Sequence, residues 1–223
     1  MTIPQIPPFT VFGYGSLIFK VRYENGLVNH SPGFIKGYVR RFSQMSHHHR
    51  GTPENPGRAV TLIHKEDWDH YSASDPYPDD DTVWGIAYTI DPVHEKEARA
   101  YLDHRERASH SMILLVSSNW QHKNGYTLET MDIYDIVDGE ARIVIHNCHC
   151  YVGRPDNPAF TGSEPLDKLS HHIWQSIGPS GRNKDYLYQL AEAVHKLSPA
   201  SRDAHLFALE ARVRELDSKL GDT

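Results

Sequence analysis

The stretch that most constrains this chain is Pro8 to Lys20, P-F-T-V-F-G-Y-G-S-L-I-F-K. Phe9, Val11 and Phe12 are strand formers. Gly13 and Gly15 then break the run, and glycine there admits a positive φ or a close backbone approach that larger residues resist. A strand ending in such a turn aims successive N–H groups at one point, which makes a pocket for a carboxylate or phosphate. The same letters also suit an ordinary glycine-containing strand end, so the choice rests on the remainder of the chain.

With 223 residues the chain can bury a real core, and a single domain over residues 1–223 is expected. The formal net charge of −6 argues against a nucleic-acid partner, because that binding depends on neutralising phosphates. A small-molecule ligand is the better default. No run approaches the roughly 20 apolar residues of a membrane helix, so no membrane partner is expected. The longest apolar stretch is Met112 to Val116. The N-terminus lacks the basic and apolar regions of a secretion signal, which points to a cytoplasmic protein. Cys148 and Cys150 fit a reducing compartment, and their spacing is poor for a disulfide.

Hydrophobic patterning predicts strands over 32–42, 58–63, 83–90 and 148–152, and a hairpin of 131–137 with 141–145 around Asp138-Gly139, a strong turn pair. His47 to Arg58 is dense in Gly and Pro and reads as a loop. Glu66 to Asp81 is acidic and turn-rich and reads as a solvated loop. Asp91-Pro92 is a helix start, with Asp91 as N-cap, and that helix is expected to reach about Arg105. Further helices are expected from Pro165 to about Ile177, from Asn183 to Leu197 and from Ala204 to Leu216. Strands fill the first two thirds and helices the last third, which makes the class α+β.

The first of these helices ends Y-L-D-H-R-E-R, so Glu106 lies where the negative end of the helix dipole raises a carboxylate's proton affinity. A surface charge paired with Arg105 or Arg107 is the plainer reading of such a glutamate. Here, however, G-Y-G-S-L, H-R-G-T-P-E-N-P-G-R, W-G-I-A-Y, Y-L-D-H-R-E and G-P-S-G-R-N-K-D-Y-L occur in this order in one chain. Together they resemble the ChaC-type γ-glutamylcyclotransferases, from about Phe9 to Leu216. The resemblance implies a compact β-barrel with flanking helices. It also implies cleavage of glutathione to 5-oxoproline and Cys-Gly without metal or organic cofactor. Tyr14, Gly15, Ser16 and Leu17 match the family's carboxylate-binding turn, and Glu106 matches its catalytic glutamate.

In the implied reaction the substrate's α-amino group attacks its own γ-carbonyl. Well-oriented intramolecular attack reaches very large effective molarities, so folding the substrate supplies much of the acceleration. An α-amino group with a pKa of roughly 8 is mostly protonated at neutral pH, so a base must take its proton. Two rival readings stay open: a cyclotransferase for other γ-glutamyl amines or dipeptides, and a non-catalytic γ-glutamyl-binding protein.

The chain departs from the family pattern at two places. Arg107 to His122 separates R-E from N-G-Y, and deleting it restores the usual spacing. It is either a surface insertion, which costs little closure entropy, or translated intron sequence. At Phe160 many relatives carry Tyr, so a hydroxyl is missing.

Other chemistries fit less well. His47, His48, His49, His146 and His149 with the two cysteines lack closed zinc-ligand spacing, so no metal is expected. No Gly-Lys-Ser/Thr follows G-Y-G-S-L, and Ser16 is not in a G-x-S-x-G elbow. Arg40, Arg41, Arg50 and Arg58 are cations of which at least one could help hold substrate carboxylates.

Overall fold

The computed structural model describes residues 8–20, 27–77, 81–108 and 126–221, leaving aside the side chains of residue 27 and of residues 103–108. Five strands close a barrel: β1 (Phe9–Gly13), β5 (Thr82–Ile90), β2 (Leu27–Lys36), β6 (Tyr126–Val137) and β7 (Glu140–Gly153), in that order. The chain's third and fourth strands, β3 (Tyr38–Ser46) and β4 (Gly57–His64), pair with each other as a separate two-stranded sheet. β1 runs antiparallel to β5, from Phe9 opposite Ile90 to Gly13 opposite Ile86. The barrel closes where β1 meets β7 in parallel at Val11 and His149, and His149 Nδ1 bonds Thr10 O at 3.1 Å.

The barrel forms because alternate residues of its strands are apolar and point inward. Phe12, Ile35, Val83, Ile133, Cys148, Cys150 and Val152 fill it, with Leu62 of β4. Short helix α1 (Lys65–Asp69) follows β4, and α2 (Glu95–Ala108) packs Ala98 and Leu102 against Phe9, Val11, Tyr88 and Ile90. The C-terminal helices are α3 (Leu166–Gln175), α4 (Asn183–Leu197) and α5 (Ala204–Leu220), with a two-residue hairpin, β8 (Ile177–Gly178) and β9 (Gly181–Arg182), between α3 and α4. The stripe Tyr186, Leu187, Leu190, Ala191 and Val194 of α4 is buried with Leu206, Leu209 and Val213 of α5 against Phe42 and Val60. An α+β barrel with flanking helices is therefore the architecture, as the sequence led us to expect.

Three expectations need correcting. The segment 32–42 is two strands, because Gly37 adopts φ 79° and turns the chain from β2 into β3. The acidic stretch after β4 is solvated at many positions, as expected, but it is anchored where α1 buries Trp68 and where Asp75 forms a buried ion pair with Arg41 at 2.8 Å. Gly13 and Gly15 are not at positive φ. Gly13 is required by proximity instead, since a Cβ there would lie 2.6 Å from Leu17 Cβ. Elsewhere the differences are small. A 3-10 turn over Pro92–His94, capped by Asp91 through Val93 N at 2.8 Å, precedes α2, and the hairpin turns at Asp138 and Gly139 with φ 54° and 82°.

Candidate active site

After β1 the chain turns at once into a 3-10 helix, Ser16–Ile18, with Gly15 as its N-cap. All four carbonyls of Tyr14–Leu17 accept hydrogen bonds from within the protein. Arg40 Nη1 donates to Tyr14 O at 2.9 Å and Ile18 N to Gly15 O at 2.9 Å. Lys20 N donates to Ser16 O at 2.8 Å, and Tyr88 OH to Leu17 O at 2.7 Å. Gly15 lies so near β4 that a Cβ would stand 3.0 Å from Val60 Cγ1. The turn is thus held by β3, β4 and β5 together.

The helix expected to carry the base adjoins this turn. Leu17 packs against the same apolar cluster that buries Ala98 and Leu102 of α2. Residue 106 lies one turn beyond Leu102 on the same helical stripe, in the last turn of α2. The Glu106 carboxylate itself lies outside the described residues, as does the suspected insertion from residue 109 onward.

The four arginines are occupied structurally. Arg40 Nε pairs with Asp203 Oδ2 at 2.7 Å, and Arg58 Nε with Glu164 Oε2 at 2.7 Å. Arg41 holds Asp75, and Arg50 Nη1 donates to Arg182 O at 3.0 Å. Phe160 packs edge-on to Tyr71 at 5.2 Å and Trp68 at 6.4 Å, so its ring keeps a packing role without a hydroxyl. Burial pushes the Cys148 thiol up to about 12, which makes it unsuited to nucleophilic work. Among the described residues no group of three or more His, Cys, Asp or Glu is placed to hold a metal ion.

A polar cluster that sequence reasoning passed over lies at the Tyr126–Gly153 end of the β6–β7 ladder. Glu129 accepts from Thr127 Oγ1 at 2.7 Å and Tyr38 OH at 3.3 Å, and lies 3.0 Å from His64 Nε2. Burial, then the Glu129 carboxylate, raises the Tyr38 hydroxyl well above its ordinary value. The cluster borders an open cavity of about 540 Å³ with Tyr71 and Arg154. Thr127 and Glu129 sit two apart on one strand face, a polar pair in strand alternation that the sequence does carry.

The same chain can be compared with known proteins. The family model for ChaC-like protein matches residues 9–216. A glutathione-specific gamma-glutamylcyclotransferase of Schizosaccharomyces pombe is 39% identical over 207 residues, covering 92% of this chain and 92% of that protein. One from Saccharomyces cerevisiae is 37% identical over 204 residues, covering 84% of this chain and 85% of its own length. The crystal structure of a selenomethionine-labelled gamma-glutamyl cyclotransferase specific to glutathione from yeast superposes with a TM-score of 0.74 at 33% identity, covering 94% of this chain and 97% of that one. With the family match running through nearly the whole chain, and barrel, turn and α2 all inside it, this protein belongs to the ChaC-like family.

Proposed function

We propose that the protein cleaves glutathione into 5-oxoproline and Cys-Gly, with residues 9–216 acting as one unit and Glu106 as the general base. The observation that carries this reading is the shared packing of Leu17 with α2, which makes the turn and the helix bearing residue 106 parts of one assembly. Similarity over most of the chain to relatives named for glutathione-specific cyclotransfer supports the choice of substrate.

The chemistry divides between the two parts. Each carbonyl of Tyr14–Leu17 accepts a hydrogen bond inside the protein, which fixes the backbone of the turn whose amides receive the α-carboxylate in this reading. The turn fixes the glutamyl end, and Glu106 takes a proton from the α-ammonium. The freed nitrogen attacks the γ-carbonyl, a C–N bond closes the five-membered ring, and the bond to the cysteinyl nitrogen breaks. That nitrogen leaves as the amine of Cys-Gly, with the proton returned by Glu106. Residue 106 lies in the last turn of α2, and a positioned general base is what an amine nucleophile requires. No helix among the described residues is long and apolar enough to cross a membrane, and we place the reaction in the cytoplasm.

Release of 5-oxoproline and Cys-Gly from glutathione tests the proposal. Glu106→Gln is expected to keep the melting temperature and lower turnover by about 10² to 10⁴. Undiminished turnover in that variant removes Glu106 from the mechanism. A panel of other γ-glutamyl amines and dipeptides, read by the same product, separates glutathione from a broader substrate class.

A further inference from the structure

Arg40 is 1% exposed, and its fork is distributed in an unusual way. Nε pairs with Asp203, whose other oxygen accepts from Leu206 N at 2.9 Å as the N-cap of α5. Nη1 donates twice, to Tyr14 O at 2.9 Å and to Trp84 O at 2.8 Å. Nη2 is buried and has no hydrogen-bond partner among the described residues. A buried donor left unmade is costly. An arginine serving only to join α5 to the sheet would need Nε alone. This one is placed so that a single amino group bridges the turn after β1 to β5, at the expense of satisfying Nη2.

We propose that Arg40 is the positioning residue of the carboxylate-binding turn. It holds the Tyr14 carbonyl so that the Gly15–Leu17 amides face the substrate's α-carboxylate, an inference that rests on the function proposed above. The planar guanidinium is what makes the bridge possible. Lysine, with one freely rotating point charge, cannot hold Tyr14 O, Trp84 O and Asp203 at once. Arg40 therefore contributes to recognition of the carboxylate rather than to proton transfer.

The test compares glutathione with an analogue in which the α-carboxylate is replaced by hydrogen, leaving the amine and the γ-carbonyl in place. The wild-type protein is expected to lose about 10- to 100-fold in kcat/KM on the analogue, the range of a charge-assisted contact. In Arg40→Lys the KM for glutathione rises by a comparable factor with kcat nearly unchanged, and the penalty for the analogue shrinks to about 3-fold or less.

Asp203→Asn leaves the fork on Tyr14 O, so it lowers the melting temperature but keeps the full penalty. Arg40→Lys retaining the wild-type penalty while folded overturns the inference, as does equal loss of discrimination in Asp203→Asn, which would mean general softening. If Arg40→Lys is unfolded at the assay temperature by circular dichroism, Arg40→Gln is read in the same way. A wild-type protein that releases no 5-oxoproline defeats the functional reading instead. Discrimination between the two peptides is then read from calorimetric binding.

Discussion

The barrel interior and the layer between β3–β4 and the C-terminal helices both have apolar cores, yet among the described residues only the outer layer adds buried ion pairs to its own. Inside the barrel Phe12, Ile35, Leu62, Ile133 and Val152 pack with two unoxidised cysteines. In the outer layer Arg40 and Arg41 are among the largest fully buried side chains, joined by Lys184, which pairs with Asp217 at 2.8 Å. Apolar packing is non-directional and tolerates exchange of similar volumes. A buried ion pair is directional and fails badly when one member goes. The turn after β1 sits where the two regimes meet: Phe12 just before it faces the barrel core, while Tyr14 O is held by Arg40. The barrel gives that turn a place, and the ionic layer gives it an orientation.

Mutations that remove one ionic partner should produce the largest effect. Asp203→Ala strands the Arg40 charge and removes the α5 N-cap, and is expected to cost about 3 to 5 kcal/mol in urea unfolding. A cost below about 1 kcal/mol would erase the contrast between the two regions.

The next effect is a pH dependence confined to the ionic layer. Burial and then Arg41 lower His205 from its ordinary 6.5 to about 4, against the opposing pull of Asp203 and Asp75, with Arg40 also lowering it. Between those values the unfolded chain binds a proton that the native one does not. Stability is therefore lost as pH falls from about 6.5 toward about 4. From about pH 7 to pH 5 the loss should be roughly 2 kcal/mol from this group. His205 Nε2 is buried without a hydrogen-bond partner among the described residues, and the ring meets Tyr77 edge-on at 6.0 Å. His205→Phe should flatten the acid limb of the melting curve, and an unchanged limb would show that another group sets it.

The smallest effect belongs to the barrel. Ile133→Val, at a fully buried position, should cost about 0.5 to 1.5 kcal/mol and leave the KM for glutathione unchanged. A shift in KM from this barrel methyl group, whose cluster Tyr14 packs against, would show that the barrel also orients the turn, and would narrow the contrast.

What the sequence made legible follows the same division. β1 with its glycine turn, the Asp138-Gly139 hairpin, and α4 were readable because strand propensity, turn chemistry and helical period are local signals. The separation of β2 from β3 was not, because Gly37 stands inside a run that alternates like one strand. The acidic stretch misled for a different reason. Asp75 finds Arg41 34 residues away, and nothing near it in the chain announces a buried partner. Arg40 is the extreme case, since its partner lies 163 residues downstream, and four arginines read in isolation could not be told apart. Of the proposed site, the turn and Glu106 stand out in the sequence as motifs. Glu129 and His64, brought together across 65 residues, do not.

The parallel seam of β1 with β7 and the bond from β3 to the start of α5 also set an order of events during synthesis. A ribosome delivers β1 early, but its neighbour across the seam emerges only at His149, and the carboxylate that steadies Arg40 emerges later still, at Asp203. A growing chain therefore owns every residue of the glycine turn long before it can hold that turn in shape. A chain that has not yet reached Asp203 lacks the partner that steadies Arg40 behind the turn.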